Sequence, residues 1–135
     1  MFAISIPLWV WVWRISPNYD VTMPCVGHGY IRSGNQCDSD AYEWLKDLGN
    51  ISPVIHMQQT DGKGSRHWPF TEEYNKLGMI IPEKVFKTIE DSGAKKTIIV
   101  FEFFYSAHAI PDEGALDNLK VSIEYWKKAL EKAYG

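Results

Sequence analysis

The run Thr97-Ile98-Ile99-Val100-Phe101-Glu102-Phe103-Phe104-Tyr105 constrains the fold more than any other stretch of the chain. Nearly every residue in it is β-branched or aromatic, and such continuous apolar character marks a strand buried on both faces. Strands of that kind belong to parallel sheets, whose crossover helices cover the faces. The rest of the chain supplies those helices. Asp38-Ser39-Asp40 offers capping side chains ahead of Ala41, Trp44, Leu45 and Leu48 at helical spacing, and Gly49 closes that helix. Ser52 to Gln59 reads as a second strand. Pro82 is a natural first-turn proline for a helix that turns Val85, Phe86 and Ile89 inward and ends at Gly93. A last helix is expected from about Asp112 to Ala133, with Leu116, Leu119, Ile123, Trp126, Leu130 and Ala133 on its apolar face. The alternation βαβα predicts an α/β fold with a parallel sheet, right-handed crossovers and a ligand site beyond the carboxyl ends of the strands.

A chain of 135 residues, 45% of them hydrophobic, predicts one domain with a real core. The formal net charge of -3 and the pI near 5.8 supply no broad basic field, which argues against nucleic acid as a partner and favours small molecules. The cysteines, Cys25 and Cys37, form no CxxC pair and fit neither a disulfide framework nor a zinc finger, as suits a reducing cytoplasm. Residues 1–24 open on an apolar run and continue into the turn-rich Ser16-Pro17-Asn18-Tyr19-Asp20. The apolar run, Met1 to Trp13, falls short of the roughly 20 residues that span a bilayer, and Pro7 interrupts it, so no membrane anchor is expected. No basic region precedes the run and no small-residue cleavage site follows it, so no signal peptide is expected. Alternation instead predicts a strand with Trp9, Trp11 and Trp13 on one face and Val10 and Val12 on the other. Such a tryptophan face needs covering by another layer or by a partner subunit, so oligomerisation is an expectation.

The residues that could carry chemistry gather at the expected ends of the strands. Glu102 interrupts an apolar strand, and a carboxylate buried without a partner costs several kcal/mol, so it is either paired, protonated or metal-bound, or it projects past the sheet into water. His56 holds a comparable place in its own strand, as a ligand or as a core histidine bonded to a carbonyl. Histidine and carboxylate on neighbouring parallel strands can converge on one divalent cation. His28, in Cys25-Val26-Gly27-His28-Gly29, is a third candidate. The stretch from Thr60 to Ile81, about 20 residues, is long for a structureless loop in a compact domain and therefore suggests function. With the end of its strand it offers Gln58, Gln59, Asp61, Lys63, Arg66 and His67, suited to hydroxyl and phosphate groups, or else a solvated loop. Trp68-Pro69-Phe70 reads as a lid or pocket wall.

His56-Met57-Gln58-Gln59-Thr60-Asp61-Gly62-Lys63-Gly64, His67-Trp68-Pro69-Phe70-Thr71, Glu102 inside its strand and Gly27-His28 together resemble the xylose-isomerase-like TIM-barrel family of sugar-phosphate isomerases and epimerases. The match looks closest to its tetrulose-phosphate epimerase branch and covers about Val26 to Leu130. The resemblance implies that residues 1–135 form a single partial domain, about half of a (β/α)8 barrel, with 25–135 as family-like βα units behind an atypical N-terminal strand. By position it makes His56 and Glu102 ligands of Mn²⁺ or Mg²⁺, Glu102 also an acid/base, and His28 a catalytic, substrate-orienting histidine. Gln58, Asp61, Lys63, His67 and Trp68 become substrate-binding residues for a small phosphorylated ketose. Cys25 stands where the family has a ligand aspartate, and the family's earlier glutamate has no counterpart in residues 1–24. Half a barrel leaves open sheet edges that invite pairing with another copy. Two expectations therefore stand side by side: an isomerase or epimerase that transfers a proton with metal assistance, and a truncated, non-catalytic half-barrel that only binds ligand or a partner chain.

Overall fold

A computed structural model describes residues 3–4, 25–26, 40–64, 66–103 and 114–135. The expected tryptophan strand, Cys37 and His28 lie outside the described residues, as does the end of the Thr97–Tyr105 run. In chain order the elements are β1 (Ala3–Ile4), β2 (Cys25–Val26), α1 (Ala41–Leu48) with a short 3₁₀ turn at Gly49–Ile51, β3 (Val54–Met57), α2 (Glu72–Leu77), α3 (Pro82–Asp91), β4 (Ile98–Phe101) and α4 (Ala115–Tyr134). The strands form one sheet in the order β1-β4-β3-β2, and every pair is parallel, as the buried-strand composition predicts. In register, His56 lies beside Cys25 on one side and Val100 on the other, and Ala3 pairs with Ile98.

The helices begin and end where the chain's chemistry dictates. Asp40 caps α1 by accepting the Tyr42 N–H at 2.8 Å, which satisfies one of the four amides that a helix start leaves unpaired. Replacing Asp40 by alanine is expected to cost about 1 kcal/mol, read as a lower urea midpoint at unchanged slope. Pro82 opens α3, and Gly93, at φ +85, takes the left-handed turn that ends it.

The core is built on one face of the sheet. Ile55 and Met57 of β3 and Ile99 of β4 are buried with Leu45 of α1, Val85, Phe86 and Ile89 of α3, and Trp126 and Ala129 of α4. Phe70, Phe86 and Phe101 surround the Trp126 ring at 5.1, 5.5 and 5.6 Å, steeply tilted pairings in which positive ring edges meet negative faces. The alternate residues Val54, His56, Ile98 and Val100 are only half-buried, because no described helix covers their face.

Three expectations change. Trp44 of α1 and Leu116 of α4 are 38% and 65% exposed, and Ala133 is exposed, while Ser122 joins Ile123, Trp126 and Ala129 on the buried face of α4. The stretch from Thr60 to Ile81 is not structureless, since α2 forms inside it. Phe70 is no lid: it is fully buried in the aromatic core. No helix among the described residues is long and apolar enough to cross a membrane.

Candidate functional site

Two chemically active side chains meet at the carboxyl end of the sheet. β3 and β4 run parallel with His56 opposite Val100, and the Glu102 N–H donates to the Met57 carbonyl at 2.9 Å, so the ladder continues past Phe101. Glu102 is two residues beyond Val100 and so returns to the face that carries His56. The result is an ion-pair contact of 3.4 Å between His56 Nδ1 and Glu102 Oε2, with side chains 30% and 22% exposed. Of the two readings left open for Glu102, pairing holds.

The stretch after β3 folds back over this end. Gln59 and Trp68 form an isolated antiparallel bridge through N–H···O contacts of 2.9 and 3.2 Å, which returns the chain to the strand it left. His67 therefore lies beside Gln58, whose Oε1 accepts the His67 N–H. His67 Nδ1 is 3.4 Å from the Glu102 carbonyl oxygen. A carbonyl only accepts, so this contact is a hydrogen bond in the tautomer that carries its proton on Nδ1. The His67 backbone sits at φ +54, a region that costs a non-glycine residue about 1–3 kcal/mol and persists only where surrounding contacts enforce it. Gln58, His67, His56 and Glu102 are thus brought together.

The other expected residues are placed differently. Asp61 is occupied by Arg66, whose Nε and Nη2 donate to Oδ1 and Oδ2 at 3.0 Å each, while the Lys63 N–H donates to Oδ1. The Arg66 guanidinium holds the Asp61 carboxyl below the usual carboxylate range. Lys63 is exposed. Trp68 stacks on Tyr74 with centroids 5.1 Å apart, and Arg66 lies 5.6 Å from the Trp68 ring centre.

Gln59, a plausible ligand binder by sequence, is structural. It is buried, and its amide uses every donor and lone pair: Nε2 donates to Asn75 Oδ1 and the Ile80 carbonyl, and Oε1 accepts from the Thr60 and Ile80 amides, all at 2.9–3.0 Å. Asn75 passes the connection on by donating to the Phe70 carbonyl, and the Phe70 N–H donates to Ser122 of α4. Asn75 and Ser122 carried no sequence signal, because single polar residues on helices are ordinary surface chemistry until a partner is known.

The pair His56–Glu102 also fits two positions of a cation's coordination sphere. Donors about 2.1 Å from a shared ion and about 110° apart are about 3.4 Å from each other, and a histidine nitrogen with a carboxylate oxygen suits several divalent metals. Among the described residues no three His, Cys, Asp or Glu side chains gather around one point. Cys25 occupies the register position beside His56.

No protein-family model matches the sequence. The chain is similar to D-erythrulose 1-phosphate 3-epimerase from Brucella abortus (strain 2308), at 28% identity over 123 residues, covering 91% of this chain and 36% of that enzyme. It thus spans about a third of the length of the curated relative it matches.

Proposed function

We propose that the chain carries part of a sugar-phosphate epimerase site that works on a small phosphorylated ketose. The observation that carries this reading is the His56–Glu102 contact of 3.4 Å at the carboxyl ends of adjacent parallel strands; the similarity to a tetrulose-phosphate epimerase supports it. β2, β3 and β4 are neighbours in chain order, as consecutive strands of a (β/α)8 barrel are, and about half of such a barrel is the architecture proposed, with its open edges available to a second copy.

The chemistry is proton transfer beside a carbonyl. The Glu102 carboxylate takes the proton from the carbon next to the carbonyl, the C–H electron pair becomes the C=C bond of an enediolate, and the carbonyl oxygen receives the displaced pair. Reprotonation by Glu102 on the same face restores the substrate with exchanged hydrogen. Inversion needs a second proton carrier on the opposite face, and His28 is the candidate for orienting the substrate hydroxyls. His56 and Glu102 would hold a Mn²⁺ or Mg²⁺ ion, which when bound supplies Lewis acidity to the carbonyl oxygen. Gln58 fixes the backbone of His67, so that the imidazole is held beside Glu102 to orient a substrate hydroxyl.

The test is to incubate tetrulose phosphates with the protein and Mn²⁺ in D₂O; deuterium entering the carbon beside the carbonyl supports the reading, and none entering sinks it. A second reading, a non-catalytic half-barrel that only binds ligand or a partner chain, is favoured by the absence of a third ligand among the described residues. Metal titration separates the two. Two donors hold a hard cation weakly, so Mn²⁺ is expected to bind the native chain in the submillimolar range or weaker, and Cys25→Asp to tighten it about tenfold or more. Unchanged affinity in Cys25→Asp, measured by calorimetry, counts against a metal at this position.

A further inference from the structure

The residue next to His67 is arranged in a way that loop stability does not explain. Arg66 meets Asp61 through two parallel N–H···O contacts of 3.0 Å, the fork geometry that fixes a guanidinium in plane and direction. The same group lies over Trp68, which rests on Tyr74, so a side chain that is usually mobile is held from two directions. An exposed pair of this kind adds little to stability, about 0–1 kcal/mol, and the Arg66 side chain is 41% exposed. The turn beneath it is nonetheless closely built. Thr60 Oγ1 donates to the Gly64 carbonyl and accepts the Gly62 N–H, and Gly62 sits at φ +74, where a Cβ would lie 2.5 Å from Met79 Sδ.

We propose that Arg66, oriented by Asp61 and Trp68, grips the phosphate of a phosphomonoester substrate at this site through the outer edge of its guanidinium. The inference rests on the sugar-phosphate reading above and assigns the phosphate group within it. A guanidinium has five N–H groups; Asp61 takes two, and among the described residues nothing else accepts from the remaining three. Two of those three, one on Nη1 and one on Nη2, share the outer edge of the planar group and match two phosphate oxygens, and a pre-oriented fork loses less entropy on binding than a free one. Arg66 is adjacent to His67, about 3.8 Å between Cα atoms, and the His67 ring reaches the Glu102 backbone. Asp61 balances the charge of Arg66, and exposed Lys63 on the same turn leaves the group with one net positive charge.

The experiment is a ligand-observed NMR titration with glycerol 1-phosphate, with glycerol as the control, so that binding is read without catalysis. The native protein is expected to bind the phosphate ester and not glycerol. Arg66→Ala should weaken that binding at least tenfold. Arg66→Lys should weaken it comparably, because a lysine keeps the charge and loses the fork, and Lys63→Ala by threefold or less. Native affinity in Arg66→Ala or in Arg66→Lys overturns the proposal, as does a native protein that does not bind glycerol 1-phosphate. Failure of the epimerase reading looks different: glycerol 1-phosphate binds as expected, and no deuterium enters a tetrulose phosphate.

Discussion

Glu102→Gln is expected to lower the rate of deuterium entry into a tetrulose phosphate by about a thousandfold, within the range of 10²–10⁴ typical of removing a general base. The amide keeps the size and shape of the carboxyl group and can still contact His56 Nδ1, so the sheet end should hold its geometry while losing the group that takes a proton. Metal affinity should fall in the same variant, since one of two candidate donors becomes a weaker ligand. To separate the effects, exchange is measured at several Mn²⁺ concentrations. A deficit that persists at saturating metal belongs to proton transfer, whereas one that disappears means that Glu102 only holds the ion. Exchange at the native rate without added metal would remove Glu102 from the mechanism altogether.

The largest effect on stability should come from a residue with no chemistry. Gly78 has ordinary backbone angles, φ -88 and ψ 158, so any residue could adopt its conformation. A Cβ there would nevertheless lie 2.1 Å from Gln59 Cδ. Gln59 cannot step aside cheaply, because moving its amide breaks a buried set of four hydrogen bonds that ties the end of β3 to Asn75 and Ile80. Gly78→Ala is therefore expected to cost about 3 kcal/mol or more, the sum of overpacking and of buried polar groups left unpaired. In a Gln59→Ala background the same substitution should cost below about 1 kcal/mol, because the atom it strikes is gone. Urea unfolding of the four proteins in this cycle gives the answer, and additive penalties would show that the clash relaxes elsewhere.

The parts of the fold legible in the sequence are those in which period and composition act together. α1, α3 and α4 and the two central strands follow from apolar spacing and from capping or breaking residues. α2 was illegible because none of its residues is buried; Glu72-Glu73-Tyr74-Asn75-Lys76-Leu77 has no apolar stripe, and tertiary contacts of Tyr74 and Asn75 hold it. Leu116 and Ala133 were misplaced for a different reason. Periodicity identifies the face of a helix and says nothing of how long its neighbour is, and α3, at 10 residues, covers only part of a 20-residue α4. In the candidate site, His56 and Glu102 were visible because each interrupts an apolar strand. Gln58 and Gln59 could not be told apart, since adjacent residues of an extended chain point to opposite sides and either could have met a ligand. Only the contacts reveal that Gln58 supports His67 while Gln59 holds the framework.

The place of β1 at the far side of β4 bears on how the chain comes off the ribosome. Ala3 and its partner Ile98 are about 95 residues apart in the chain, so the partner is made long after Ala3. At a synthesis rate of about 5–20 residues per second, that is a wait of about 5–20 s, during which the nascent segment has backbone amides and carbonyls without their strand. β2, α1 and β3 can meet early, whereas β1 and β3 both wait for β4, so the β2–β3 pairing precedes the rest of the sheet, and holdase chaperones would have their best opportunity in that interval.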